Sequence, residues 1–213
     1  MILRRPDDAF CLYVLAHGAG AGMRHPFLEA LSGALAAERV ATLRYEFPYM
    51  EQGKGRVDPP AVAHARVREA VAKAAAERLP LFAGGKSFGG RMTSQAQALE
   101  PLAGVRGLAF VGFPLHPAGR PGIDRAAHLR DVHVPTLFLQ GTRDELADLA
   151  LLRSVVEALP DATLHVLEDA DHSFHVRKKS GRGDADVIRE LARVFAGWAQ
   201  ERMMGGSSSR SSS

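Results

Sequence analysis

The stretch that decides the fold is Leu81-Phe82-Ala83-Gly84-Gly85-Lys86-Ser87-Phe88-Gly89-Gly90-Arg91. It begins as an apolar run, continues through glycines, and is followed by apolar residues at helical spacing, which predicts a strand, a sharp turn and a helix. Residues 85–89 fit the pattern G-x-S-x-G, in which the glycines remove Cβ atoms that would clash in a strained turn. The turn would lift the hydroxyl of Ser87 clear of the strand and place it at a helix N-terminus, where developing negative charge is favoured.

On both sides of this stretch, short apolar runs alternate with longer segments of helical spacing. The apolar runs lie near residues 10–16, 40–45, 81–83, 105–111, 136–140 and 163–167. Most are continuously apolar, which is typical of parallel strands that are covered on both faces. The alternation predicts an α/β fold with a mostly parallel sheet of about six strands and helices on both faces.

The length and composition fit a single domain. The chain has 213 residues, of which 46% are hydrophobic, and we place the domain at residues 1–203. Residues 204–213 are rich in Gly and Ser, a composition that predicts a disordered tail. The single cysteine, Cys11, excludes an intramolecular disulfide and a multi-cysteine metal site, and its apolar neighbours predict a buried thiol.

The charge distribution gives no sign of a nucleic-acid or membrane partner. The net charge is +3, the dense basic cluster at residues 177–179 is short, and 7% of residues are aromatic, whereas nucleic-acid binding favours a broad basic stripe with stacking rings. No apolar run approaches the ~18 residues of a membrane span, and we see no signal peptide at the start of the sequence. We therefore expect a cytoplasmic protein, a monomer or homodimer, with a small-molecule substrate.

Two segments resemble phosphate-binding motifs, but neither matches its motif in full. Gly85-Lys86-Ser87 shares G-K-S with a Walker A loop, which requires a glycine five positions before Gly85, where Pro80 stands. The glycine-rich run that begins at Gly18 is similar to the dinucleotide motif G-x-G-x-x-G, but its last position falls on Met23. Nucleotide binding is therefore disfavoured.

The carboxyl ends of parallel strands meet at one rim of a sheet, where further catalytic residue types are expected. Asp144 follows the fifth apolar run and His172 follows the sixth, so the chain order is Ser, Asp, His. An aspartate there would orient the imidazole, which would activate the hydroxyl of Ser87. Two alternatives for the acid stay open: Asp144 could instead cap a helix that starts near Glu145, and Asp148 is a second candidate.

The base also has alternatives, namely His175, His116 and His165, although His165 falls inside a predicted strand. We expect the backbone N–H groups of Phe88 and Ala19 to bind an oxyanion. His17 is interpreted as a residue that stabilises its turn.

The pocket entrance is assigned to two further residues. Tyr49 and His116 are predicted to contact substrate, with a structural role as the alternative for each. The irregular segment at residues 46–60 is expected to overhang the site. Within it, Lys54 and Arg56 are interpreted as solvated loop charges, with attraction of an anionic acid portion as the alternative.

Taken together, the motifs resemble an α/β-hydrolase family that includes a testis-expressed protein and a nonspecific-lethal-complex subunit, and whose small bacterial members are similar to dienelactone hydrolases. The resemblance rests on these segments: Leu15-Ala16-His17-Gly18-Ala19-Gly20-Ala21-Gly22, Arg44-Tyr45-Glu46-Phe47-Pro48-Tyr49, Gly84-Gly85-Lys86-Ser87-Phe88-Gly89-Gly90-Arg91, Gly112-Phe113-Pro114-Leu115-His116-Pro117, Gln140-Gly141-Thr142-Arg143-Asp144 and Asp171-His172-Ser173-Phe174. It implies the α/β-hydrolase fold with Ser87, Asp144 and His172 as its triad. The leading antiparallel hairpin of that fold would be missing or reduced to residues 1–5.

The functional hypothesis is a serine hydrolase that cleaves small carboxylic esters or thioesters through an acyl-enzyme on Ser87, with no metal and no cofactor. The connection from Phe113 to Asp124 is too short for a large lid, which disfavours long-chain lipase action. One alternative is a catalytically idle interaction module with the same shell, since the eukaryotic subunit acts as a scaffold. Another is a C–C bond hydrolase or acyltransferase that uses the same triad.

Overall fold

In a computed structural model, which describes residues 1–204, the chain forms one sheet flanked by helices. The seven strands within this part of the chain are β1 (Ile2–Arg4), β2 (Cys11–Ala16), β3 (Val40–Tyr45), β4 (Leu81–Lys86), β5 (Val105–Val111), β6 (Thr136–Gly141) and β7 (Ala162–Leu167). Their order in the sheet is β1-β3-β2-β4-β5-β6-β7. β1 pairs antiparallel with β3, and all other neighbours are parallel.

The helices cover both faces of the sheet. They are α1 (Pro26–Ala37), α2 (Pro48–Glu51), α3 (Pro60–Ala75), α4 (Phe88–Leu99), α5 (Leu149–Glu157) and α6 (Asp184–Met204), with short 3₁₀ helices at Asp124–Asp131 and Lys178–Ser180. α1 and α6 pack on one face, and α3, α4 and α5 pack on the other. No helix within residues 1–204 is long and apolar enough to cross a membrane.

The two cores follow from the alternation of side chains along each strand. In β2, Leu12 and Val14 point into the core beneath α3 and α4, whereas Tyr13 and Leu15 point into the core beneath α1 and α6. Both faces of the central strands are therefore buried, which explains why the apolar runs are continuous in the sequence.

The predicted fold class is confirmed, with one correction to the strand count. The sheet has seven strands over residues 1–204 rather than about six, because the three-residue β1 is too short to show a periodic pattern. β1 falls within residues 1–5, where the resemblance allowed a reduced leading hairpin, and it pairs antiparallel with β3. No large lid is present in the described part of the chain: the connection from β5 to β6 contains one short 3₁₀ helix. The predicted tail lies outside the described residues apart from Met204, which ends α6.

The turn between β4 and α4, residues 85–89, packs tightly against β2. A β-carbon on Gly85 would lie 2.4 Å from the carbonyl oxygen of Ala16, and one on Gly89 would lie 2.4 Å from that of His17. Ser87 lies between them in the left-handed region, with φ 49° and ψ −116°, and its N–H donates to the carbonyl of Val111 at 3.1 Å. Only glycine at both flanks permits this approach of the two backbones.

A matched pair of helical glycines tests this packing. Gly89→Ala should lower the free energy of unfolding by about 2–3 kcal/mol, because its new methyl group meets backbone atoms that cannot move aside. Gly197→Ala in α6 should raise it by about 0.5–1 kcal/mol, because nothing lies within 4 Å of the added carbon. Urea denaturation of both variants measures the difference, and changes of the same sign would contradict the packing described.

Candidate active site

Three side chains from separate loops meet at the carboxyl ends of β4, β6 and β7. His172 Nε2 lies 2.9 Å from Ser87 Oγ, and His172 Nδ1 lies 2.7 Å from Asp144 Oδ2. Because an ionised carboxylate only accepts hydrogen bonds, Nδ1 carries the proton and Nε2 is left to accept from the serine hydroxyl. A hydroxyl, a base and an orienting carboxylate in series form the arrangement that activates a serine for nucleophilic attack.

Asp144 is held in place by hydrogen bonds to both oxygens of its carboxylate. Its side chain is fully buried; Oδ2 also accepts from Gln140 Nε2 at 2.6 Å, and Oδ1 accepts from the N–H of Leu146 at 2.8 Å. The other end of Gln140 accepts from the N–H of Phe113 at 2.9 Å. Gln140 was not predicted to belong to the site, although it is a polar residue at the end of an otherwise apolar strand.

The helix after Asp144 starts later than expected, and this separates the two candidate acids. α5 begins at Leu149 rather than near Glu145, and its N-cap is Asp148, which accepts from the N–H of Leu151 at 3.0 Å. Asp148 is therefore the cap of this helix, and its carboxylate is used there. No helix begins near Glu145, so Asp144 is not a helix cap: its Oδ1 accepts from the N–H of Leu146 in a local turn, and its Oδ2 contacts His172.

The loop that carries His172 is held by its own backbone contacts. Asp171 Oδ1 accepts from the N–H groups of Ser173 and His175, at 2.8 and 3.0 Å. Phe174 adopts φ 64°, and its buried ring stacks on Phe27 with centroids 5.6 Å apart. These contacts fix the imidazole above Ser87 rather than leaving it on a free loop.

The other candidate bases have different partners. His175 contacts Asp184 at 2.9 Å, and this hydrogen bond raises the pKa of His175. His165 contacts Glu190 at 2.7 Å. Neither imidazole is bonded to Ser87.

Two backbone N–H groups beside Ser87 are available for a ligand. The N–H of Phe88 opens α4, and that of Ala19 follows the turn after β2; neither donates to another group within residues 1–204. The turn before Ala19 is held by buried His17, whose Nδ1 bonds the carbonyl of Gly18 at 2.8 Å and whose Nε2 accepts from the N–H of Phe47 at 3.0 Å. Desolvation lowers the pKa of His17, which favours the neutral ring that this pattern requires.

A cavity of about 320 Å³ opens beside Ser87. It is lined by the loop after β2, the start of α1 and the loops of Asp144 and His172, that is by Gly18, Ala19, Ala21, His25, Phe27, Leu28, Lys86, Ser87, Leu146, His172 and Ser173. Its side-chain wall is mainly apolar.

The structure differs from the expected pocket entrance. Tyr49 is 2% exposed and packs against Phe47 and Phe88, away from the cavity lining. His116 is also buried: its Nε2 accepts from the N–H of Asp148 at 2.7 Å and its Nδ1 contacts the carbonyl of Pro117 at 2.9 Å, so both ring nitrogens are used. These contacts give the two residues the structural roles that were the alternative.

The segment at residues 46–60 does not overhang the cavity. It contains the short helix α2, and Lys54 and Arg56 are exposed to solvent. The wall that the sequence analysis assigned to this segment is supplied by residues 18–28, which the cavity lining includes at Phe27 and Leu28.

A family model described as an alpha/beta hydrolase domain matches residues 10–200. The chain belongs to this α/β-hydrolase family.

Solved structures share the fold of this α/β-hydrolase domain. A dienelactone hydrolase from Anabaena variabilis is 21% identical, with a TM-score of 0.71 over 93% of this chain and 89% of that one. An alpha-beta serine hydrolase homologue from Coxiella burnetii is 20% identical, with a TM-score of 0.69 over 90% and 88% of the two chains. A serine hydrolase without a lid from Xanthomonas campestris is 21% identical, with a TM-score of 0.68 over 91% and 86%.

The single thiol and the potential metal ligands of this α/β-hydrolase domain also bear on its chemistry. Cys11 is buried, and desolvation raises the pKa of its thiol to about 12, so it is an unreactive core residue. Within residues 1–204, no group of three or more His, Cys, Asp or Glu side chains is arranged to hold a metal ion.

Lys86 is a further residue of the site that was not predicted from the sequence. Its side chain contributes to the cavity wall, but Nζ is buried and makes no hydrogen bond within residues 1–204. Desolvation lowers the pKa of this ammonium from 10.5 to about 8, against the opposing effect of Asp144 and Asp171. Holding this charge therefore costs folding free energy at neutral pH.

Lys86→Met tests that cost. At pH 7 the variant should have a higher free energy of unfolding than the parent, by on the order of 2 kcal/mol. Between pH 8 and 10.5 the unfolded parent binds more protons at this position than the folded parent, so the parent gains stability as the pH rises and the difference should shrink.

Guanidinium denaturation at pH 7 and pH 10 measures both effects. Lys73→Met, at an exposed position near the end of α3, is the matched control and should show a small difference at both pH values. A Lys86→Met protein that is less stable than the parent at pH 7 would contradict this interpretation.

Proposed function

We propose that the protein is a serine hydrolase that cleaves small carboxylic esters or thioesters through an acyl-enzyme on Ser87. The observation that carries the proposal is the continuous hydrogen-bonded series from Ser87 Oγ through His172 to Asp144, beside an apolar cavity. Membership of the α/β-hydrolase family supports it.

Acylation begins when His172 Nε2 takes the proton of Ser87 and Oγ attacks the acyl carbon. The carbonyl oxygen becomes an oxyanion that the N–H groups of Phe88 and Ala19 stabilise, each donor contributing on the order of 10²–10³ in rate. The imidazolium then gives its proton to the departing alcohol or thiol. The ester bond to Ser87 replaces the bond to the leaving group.

Deacylation reuses the same groups. His172 takes a proton from water, the hydroxyl attacks the acyl carbon, and the tetrahedral intermediate collapses to the free acid as His172 returns the proton to Ser87 Oγ. Throughout, Asp144 keeps the proton on Nδ1 and stabilises the imidazolium, while Gln140 and Leu146 hold the carboxylate in place. The sequence of steps requires neither a metal nor an organic cofactor.

The size and the apolar lining of the cavity favour a substrate with an uncharged acyl group of modest size. Phe27, Leu28 and Leu146 form an apolar wall, and the buried ammonium of Lys86 is turned away from this volume. The lack of a large lid in residues 1–204 leaves the site open to small soluble substrates. The dienelactone hydrolase and the lidless serine hydrolase among the structural neighbours are consistent with such substrates.

The finer family placement and the cellular setting belong to the same proposal. On its motifs, the chain would fall within the group that includes a testis-expressed protein and a nonspecific-lethal-complex subunit. It would act in the cytoplasm as a monomer or homodimer, without a nucleic-acid or membrane partner.

Substitution of the three residues tests the proposal directly. With p-nitrophenyl butyrate, Ser87→Ala and His172→Ala should each lower kcat/KM by about 10⁴-fold or more, and Asp144→Asn by roughly 10³–10⁴-fold. Because the groups act as one unit, the Ser87→Ala/His172→Ala double variant should be no slower than either single variant. Ser154→Ala, on the exposed face of α5, is the control and should retain parent activity. Parent-like activity in Ser87→Ala would refute the assignment.

A fluorophosphonate probe separates the enzyme from the idle module. We expect one label per chain, on Ser87 by peptide mass spectrometry, and no label in Ser87→Ala or His172→Ala. Absence of labelling in the parent, together with a stable protein partner in pull-down, would instead favour a catalytically idle interaction module.

A further inference from the structure

Lys86 directly precedes Ser87 and ends β4, and its side chain runs between two environments. Its Cγ lies 3.6 Å from the point where a β-carbon of Gly18 would be, so the methylene stem forms part of the cavity wall. Its Nζ is buried behind that wall, 5.3 Å from the ring centroid of Phe174. The charge therefore faces the loops that carry Asp144 and His172 rather than the cavity.

Gly112 lies beside both the ammonium of Lys86 and the carboxylate of Asp144. A β-carbon at Gly112 would lie 3.2 Å from Lys86 Nζ and 3.5 Å from Asp144 Oδ2. The two charged groups thus border the same small volume, which remains free because residue 112 is glycine. They do not form a hydrogen bond, since all contacts of Oδ2 within residues 1–204 are with His172 and Gln140.

Several loops that pack around the ammonium of Lys86 contribute charged or titratable residues. Asp144 follows β6, and Asp171 and His172 follow β7; Arg143 points elsewhere and donates to the carbonyl of Asp169 at 3.1 Å. His25, at the start of α1, is the other titratable residue on the cavity wall. Lys86 is therefore a buried cation beside the carboxylate that contacts His172.

We propose that Lys86 is a positioning residue of the hydrolytic site, whose ammonium offsets part of the charge of Asp144 and so weakens the hold of that carboxylate on an imidazolium at His172. The inference rests on the proposed function. A fully buried carboxylate with no cation nearby would favour protonated His172 strongly, and a protonated base cannot take the proton of Ser87. A cation beside Asp144 opposes that effect of the carboxylate.

Packing of the methylene chain alone does not explain why a charged residue stands at position 86. Methionine would fill the same wall with a chain of similar length and without a buried ammonium. The charge is retained although burial opposes it, and such costs are typical of residues that serve a site rather than the fold.

The test compares Lys86→Met with the parent and with Lys73→Met. The imidazole of His172, followed by NMR, should take up its proton at a midpoint about one pH unit higher in Lys86→Met, because removal of a nearby positive charge favours the imidazolium. The acid limb of kcat/KM for p-nitrophenyl butyrate should move upward by the same amount. Lys86→Arg should return both midpoints towards the parent, and Lys73→Met should leave them unchanged. An unchanged His172 midpoint in folded Lys86→Met would overturn the proposal.

A measurement on the unaltered protein covers the case in which Lys86→Met does not fold. The ¹³Cε resonance of Lys86 and the ring resonances of His172 are followed together across the pH range, and we expect the His172 resonances to show an inflection at the midpoint of Lys86. Independent titrations would overturn the proposal. Neither NMR measurement requires turnover. A protein that does not hydrolyse esters would therefore refute the proposed function without affecting the test of Lys86, and unchanged or independent titrations would refute the role of Lys86 alone.

Discussion

The close contact between the backbone of β2 and the turn at residues 85–89 is the constraint on which the rest of the site depends. Gly85 and Gly89 allow the carbonyls of Ala16 and His17 to approach to distances that no β-carbon would permit. The contact forces Ser87 into the left-handed region at the end of β4 and brings the turn after β2 beside it. The same packing brings Ser87 and Ala19 to one cavity, and the N–H groups of Ala19 and Phe88 donate to no other group within residues 1–204.

Electrostatic organisation of the site centres on Asp144, a buried carboxylate held by Gln140, by the N–H of Leu146 and by His172. Buried charges are tolerated where hydrogen bonds and a counter-charge replace the lost water. The hydrogen bonds are complete here, and the nearby ammonium of Lys86 supplies positive charge without a direct bond. In our account, a lysine that burial disfavours offsets part of the charge of Asp144, at a cost in folding stability.

Much of this architecture could be predicted from the sequence, because continuous apolar runs and glycines at fixed spacing record burial and close approach directly. β1 was expected only as a possible remnant of the hairpin at residues 1–5, since three residues carry no period and pair only because β3 offers an edge. The directions of Tyr49 and His116 are set by packing between distant segments, which a motif does not encode. Gln140 and Lys86 had a local signal, a polar residue at the end of an apolar strand, but their partners come from other loops and appear only in the folded chain.

The central claim is that the hydroxyl of Ser87, the imidazole of His172 and the N–H groups of Ala19 and Phe88 surround one reacting centre. A crystal structure of the protein after reaction with diethyl p-nitrophenyl phosphate measures this directly. The account predicts phosphorus bonded to Ser87 Oγ, a phosphoryl oxygen within hydrogen-bond distance of both N–H groups, and His172 beside the adduct. An adduct on another residue, or a phosphoryl oxygen turned away from both N–H groups, would contradict it.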